Sequence, residues 1–183
     1  MVDVVRFVVF PSELGWMGLA GTGDRLQRLT FGHESAAAAK RELKLPARSA
    51  VRDDIWNGEL VERLQAYARG AREDFRDVQI DDAGFSDFQR RVVDQCRRIP
   101  PGATISYGRL AQLAGKAGAA RAVGNVMRTN RMPLVVPCHR VVAAGGRLHG
   151  YSAAAGIVTK QKLIEMEVAT WVWEGLTSAI EPT

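Results

Sequence analysis

The chain changes character at "DDAG" (81–84), and that change dictates a two-part fold. Before it, short β-branched and aromatic runs alternate with turn residues: "VRFVVF" (5–10), "WMGLA" (16–20) and "RLQRLTF" (25–31). Separated by Pro, Ser and Gly, these runs predict three strands of an antiparallel meander. Two segments of helical spacing follow, "ESAAAAKRELK" (34–44) and "DIWNGELVERLQAYARG" (54–70). The second sets Ile55, Leu60, Leu64 and Tyr67 along one side. "DFRDVQID" (74–81) is expected to add another strand. Beyond the join the pattern is mostly helical. Ser86 is placed to cap "DFQRRVVDQCRR", which stops at Pro100-Pro101-Gly102. "TISYGRLAQLAG" (104–115) has a Thr or Ser cap and a glycine stop, and a "KAG" turn separates it from "AARAVGNVMRTN" (119–130). Two short helices around such a turn predict a helix-turn-helix, with the second as recognition helix. The expected class is α+β: a small antiparallel-sheet-plus-helix domain over 1–84, then a mostly helical domain over 85–183.

Charge divides at the same place. Residues 1–84 carry 12 Lys and Arg against 14 Asp and Glu, whereas 85–183 carry 13 against 6. Within 90–162 all 13 basic residues stand with a single acid, Asp94. So few carboxylates point to an electropositive surface for a polyanion, most naturally nucleic acid. The helix over 119–130 fits that purpose. Its first half, "AARAVG", is slim, and Arg121 and Arg128 sit near its two ends. Small residues with isolated arginines suit a helix lying in a DNA groove, although the same alanines would also suit tight packing on another helix.

The 183 residues are enough for a real core, and no apolar run approaches the roughly 20 residues that span a bilayer. The start "MVDVVRFVVFPSELG" has neither the basic opening nor the cleavage site of a signal peptide. Two cysteines far apart, Cys96 and Cys138, make no disulfide framework, so a reducing, cytoplasmic setting is expected. No C-x-x-C or H-x-x-x-H spacing for zinc occurs. Cys96 lies on the apolar side of its helix and reads as core. Cys138 is different. It stands in "PCHRVV" (137–142) beside His139, one of only three histidines. A thiol attacks only as thiolate, and its ordinary pKa near 8.5 leaves only a few per cent ionised at neutral pH. It therefore needs a base or a positive charge nearby. Neighbours on an extended strand point to opposite sides, so a Cys–His partnership here requires a turn or a bridging water. An imidazole in that role takes a carboxylate to orient it, and Glu165 and Glu167 lie on the downstream helix "TKQKLIEMEVA".

Over 85–168, "SYGRLAQLAG", "ARAVGNVMRTNRMPLVV", "PCHRVV", "GYS" and "KQKLIEME" follow one another in an order that resembles the O6-alkylguanine-DNA alkyltransferase family. The resemblance implies a direct-reversal repair protein that moves an alkyl group from O6 of guanine in duplex DNA onto its own cysteine, once and irreversibly. It implies Cys138 as acceptor and His139 as the histidine that takes the thiol proton through a water. Glu167 is implied as the glutamate that orients His139, with Glu165 as its substitute. Tyr107 would donate a proton to guanine N3, and Arg121 would enter the duplex in place of the flipped nucleotide. Asn130 would brace the active-site turn. Tyr151 and Ser152 would reach O6, and the carbonyls of Cys138 and Val141 would accept from the exocyclic amine. Arg128 is counted with the DNA-binding residues. The scheme calls for no cofactor and no metal, for duplex DNA containing O6-alkylguanine as partner, for no membrane, and for a monomer. The alternative is a non-catalytic relative that flips damaged guanine and only flags it; such relatives lack cysteine in the Pro-Cys-His-Arg position. After "GYS" the family commonly has Gly-Gly, where this chain has Ala153-Ala154.

Overall fold

The computed structural model describes residues 4–46, 49–148 and 156–177. Its first half is a four-stranded sheet in the order β3-β2-β1-β4, built from β1 (Val5–Phe10), β2 (Trp16–Thr22), β3 (Arg25–His33) and β4 (Ala50–Arg52). The meander of β1, β2 and β3 is antiparallel, as the turn residues predict, while β4 joins the edge of β1 in parallel. Strand alternation sends the side chains of β1 to opposite faces. Phe7 and Val9 pack with Ala39 and Leu43 of the α1 (Ala36–Glu42) region. Val8 and Phe10 join the larger cluster on the other face. There the sheet meets Leu60, Leu64 and Tyr67 of α2 (Gly58–Ala68).

That larger cluster does not stop at residue 84. It continues through Val92 and Cys96 of α3 (Asp87–Arg97) and Leu110 of α4 (Tyr107–Leu113) to Val123 and Met127 of α5 (Ala120–Arg128). Leu163 of α6 (Gly156–Thr177) closes it. One apolar core therefore anchors both halves. Between α4 and α5 the turn passes through Gly115 and Gly118, at φ +78° and +81°, a region that suits glycine because it has no Cβ. A second, two-stranded sheet pairs β5 (Ile105–Ser106) with β6 (Val141–Val142) in parallel.

Three expectations need correction. Residues 74–81 form no strand beyond a single bridge between Leu26 and Ile80. Phe75 sits in the left-handed region at φ 53°, and the Arg97 guanidinium takes the carbonyls of Phe75, Arg76 and Val78. A strand would need those acceptors for its ladder. The helix expected from residue 54 begins only at Gly58, because Asn57 is left-handed and Asp53 turns the chain by accepting from the Ile55 amide. Ile55 is consequently 88% exposed instead of lying in the apolar stripe. Finally, residues 105–106 are strand, and Ser106 caps α4 by accepting from the Arg109 amide at 3.1 Å.

The start of α3 is a complete capping box: Ser86 Oγ accepts from the Gln89 amide while Gln89 Oε1 accepts from the Ser86 amide. Ser86→Ala removes one of these two bonds and is expected to cost about 1 kcal/mol of stability, read from urea midpoints.

Candidate active site

Pro137 ends the apolar run that leads into the site, and residues Cys138–Arg140 form one turn of 3-10 helix rather than strand. This turn is what lets consecutive Cys and His side chains serve one site. All three residues are buried, with Cys138 only 4% exposed. Asn130, just past α5, braces the turn from outside. Its Nδ2 donates to the Val136 carbonyl at 2.8 Å and to Cys138 Sγ at 3.1 Å, and its Oδ1 accepts from the Met132 amide at 3.0 Å. A donor aimed at sulfur favours the thiolate over the thiol.

Behind the turn stands the carboxylate of Glu167. Its Oε1 accepts from His139 Nε2 at 2.9 Å, from Arg140 Nη2 at 2.8 Å and from the Tyr67 hydroxyl at 2.7 Å. Oε2 accepts from Arg140 Nε at 3.0 Å and from the Gly102 amide at 3.1 Å. The remaining arm of Arg140 donates to the Ile99 carbonyl at 2.7 Å. Burial by itself would push the Glu167 carboxyl up. The hydrogen bonds and charges of His139 and Arg140 outweigh it and hold the group well below the usual carboxylate range. Burial pulls His139 below its ordinary value of 6.5, against the opposing pull of Glu167. The imidazole is thus neutral at pH 7. Because an ionised carboxylate only accepts, the ring proton is assigned to Nε2, leaving Nδ1 with its lone pair. Nδ1 is buried and has no hydrogen-bond partner among the described residues. The residue that follows the cysteine in sequence thus holds a nitrogen able to accept a proton.

The β5–β6 pair supplies the third component. Ile105 pairs with Val141 and Ser106 with Val142, which docks the N-terminus of α4, and with it Tyr107, against the strand leaving the Cys-His-Arg turn. Tyr107 is half-buried, and burial, followed by the nearby sulfurs, raises its hydroxyl above the ordinary value of 10.0. It is therefore protonated and able to give a proton. Lys160 of α6 lies beneath, its Nζ 5.8 Å from the Tyr107 ring centre and 2.6 Å from the Val141 carbonyl. The Cys138 carbonyl accepts from the Val141 amide.

Glu165 is exposed and bonded to Gln161 at 2.8 Å, so of the two glutamates only Glu167 meets His139. Cys96 is fully buried, 3.7 Å from the Met127 sulfur, and burial drives its thiol far up, consistent with a packing role. On the outer surface Arg121 is exposed in the first turn of α5 and Arg128 at its end, while Val123 and Met127 face the core. A Cβ built on Gly124 meets nothing within 4 Å, so at Gly124 the slim helix is not packed on another one. Tyr151, Ser152 and His149 lie outside the described residues. Among those described, one group of acids stands close enough to share a metal, Glu73, Asp74 and Asp77, and two of its members already accept from Arg63.

Sequence reasoning missed Tyr67, Arg140 and Lys160 as parts of the site. Lys160 was legible in principle, since it stands seven residues before Glu167 and so on the same face of α6. Tyr67 was placed only in an apolar stripe, and nothing in the residues around it points to a carboxylate 100 positions away.

Residues 87–169, from α3 into α6, match the family model "6-O-methylguanine DNA methyltransferase, DNA binding domain". The likeness extends to whole proteins. The chain is 37% identical to a methylated-DNA–protein-cysteine methyltransferase of Mycobacterium bovis, over 90% of this chain and 93% of that one. It is 34% identical to one from Methanosarcina acetivorans, over 88% and 97% respectively. Among solved structures, Mycobacterium tuberculosis OGT in complex with DNA superposes with a TM-score of 0.75 at 35% identity, covering 90% of this chain and 94% of that one. The chain belongs to the methylated-DNA–protein-cysteine methyltransferase family.

Both His139 and Glu167 have folded pKa values below their ordinary ones, near 6.5 and 4.5. The unfolded chain therefore takes up their protons first, and the stability they contribute is full above about pH 6.5 and lost as the pH falls. Urea midpoints should drop first below that pH and more steeply below about 4.5. Glu167→Gln leaves the buried Arg140 charge without its counterion and is expected to cost about 3–5 kcal/mol at neutral pH.

Proposed function

We propose that the chain repairs DNA by carrying an alkyl group from O6 of guanine in duplex DNA to Sγ of Cys138. One observation carries this reading: the cysteine of the family motif is braced by Asn130 on one side and adjoins, on the other, a neutral His139 bonded to the Glu167 carboxylate. The helix-turn-helix begins beside it at Tyr107. The target carbon hangs from a base inside the stack, so the nucleotide must be flipped out. That costs a few kcal/mol, offset by pocket contacts, phosphate contacts and a side chain that fills the gap. Arg121, exposed in the first turn of α5, fills it in this reading, and Arg128 stands at the other end of the helix. Tyr151 and Ser152 contact O6, and the carbonyls of Cys138 and Val141 receive the exocyclic amine.

The chemistry is substitution at carbon. The thiol proton passes through a water to His139 Nδ1, and the imidazolium so formed is stabilised by Glu167. Sulfur attacks the alkyl carbon, the S–C bond forms, and the C–O6 bond breaks with its electron pair moving into the guanine ring. Tyr107 supplies a proton at N3, which makes guanine a better leaving group. The hydroxyl recovers that proton from the pool to which His139 returns its own. In sum the thiol proton is exchanged for the alkyl group. A thioether has no easy hydrolytic exit, so each molecule acts once. The protein works as a monomer in the cytoplasm, where a reducing milieu preserves the thiol. Among the described residues no helix is long and apolar enough to cross a membrane.

Intact-mass spectrometry after incubation with an O6-methylguanine duplex tests the reading. The wild type should gain one methyl group, mapped to Cys138, and Cys138→Ala none while still binding DNA. A gain on Cys96, or no gain, overturns the assignment. Arg121→Ala should slow repair in duplex by about tenfold or more, the equivalent of about 1.4 kcal/mol of lost gap-filling, and leave transfer from the free modified base unchanged. Equal losses on both substrates would rule out that role.

A further inference from the structure

A cavity of about 710 Å³ opens between the sheet and the C-terminal end of α5. Four cations line it: Arg28 of β3, Lys44 beyond α1, Arg128 at the end of α5, and Arg131. The one carboxylate on its walls, Glu42, is already engaged 3.1 Å from Lys44. Among the described residues no guanidinium of the three arginines has a carboxylate or hydrogen-bond partner. Several other arginines of the first half are paired, with Arg6 held by Asp53, Arg52 by Asp54 and Arg63 by Glu73 and Asp77. The crowding is imposed by the backbone. The Leu29 amide donates to the Arg131 carbonyl at 2.8 Å, which fixes the two segments that carry Arg28 and Arg131 side by side. Burial and then the charge of Arg131 both lower the pKa of Arg28, the mark of like charges in a partly dry place. Concentrated, uncompensated positive charge in a concave site calls for an anion.

We propose that this cleft binds the phosphodiester backbone of the DNA beyond the stretch covered by α5. The inference rests on the repair reading above and extends it to the first half of the chain. Length supports the extension. With nine residues α5 is about 14 Å long, only about four base-pair steps of 3.4 Å. Arg128 belongs both to that helix and to the cleft wall. A strand leaving α5 past Arg128 would meet Arg131 next, and then Arg28 and Lys44. The sheet half thereby becomes part of the DNA-binding surface even though its overall charge is slightly acidic.

The test is the salt dependence of DNA binding by the full chain, on duplexes of about one and about three helical turns, or about 10 and 30 base pairs. Each phosphate contact contributes about one unit to the slope of log K against log[salt]. The R28A/R131A variant should lose about two units of slope and roughly tenfold in affinity on the longer duplex, with smaller losses of both on the shorter one. R28K/R131K keeps the charge and should retain both values, and R52A should change neither. An unchanged slope, or an equal loss on both lengths, overturns the proposal. Methyl transfer to Cys138 from the short duplex is followed by mass in the same preparations. If every variant is methylated but the slopes agree, the cleft proposal alone fails. If the wild type itself gains no methyl group, the reading on which the proposal rests fails with it.

Discussion

The structure turns on the Glu167 carboxylate. A buried anion survives only if its lone pairs are filled, and five donors from three separate parts of the chain fill these: His139 and two nitrogens of Arg140, Tyr67, and the Gly102 amide. Two of these donors are also tied elsewhere. Arg140 reaches back to the Ile99 carbonyl at the end of α3, and the Tyr67 ring packs edge-on to Phe75 at 5.6 Å. The carboxylate thus gathers α2, the turn after α3, the Cys-His-Arg turn and α6 at one point. The His139 contact also fixes which ring nitrogen carries the proton, so packing and acid–base chemistry meet at one carboxylate.

Asn130 and the β5–β6 pair do for the sulfur what Glu167 does for the imidazole. Two bonds from one amide hold the turn and touch Sγ, and two paired residues bring Tyr107 beside it. Neither device is costly, and both rely on the shared core beneath. The outer face of α5 stays slim and bears exposed arginines, while Val123 and Met127 keep it attached. A helix that must enter a groove has few other ways to be both thin and anchored.

Much of this was legible in the residues. The three strands of the meander follow from alternation and turn chemistry, and α3 from the Ser86 cap and the Pro-Pro-Gly stop. Motif order identified Cys138, His139 and the glutamate helix. What could not be read was the conformation of "PCHR", because a 3-10 turn of three residues has no periodicity to betray it. The false strand over 74–81 failed for a different reason: its carbonyls are claimed by Arg97, a tertiary partner about twenty positions away. β4 is only three residues long and mostly exposed, too short for any pattern. Tyr67 and Arg28 escaped because their significance depends on what lies opposite them in space.

The Tyr67–Glu167 bond has a consequence for how the chain can be divided. A fragment starting near Ser86 would contain the whole signature from the Tyr107 helix to Glu167, and by motif alone would count as complete. It would nonetheless carry a carboxylate missing one of its hydrogen-bond donors, and an oily surface laid bare where Leu60, Leu64 and the sheet had covered it. The modest first half is therefore no detachable ornament; the proton relay is finished by a phenol that it alone contributes.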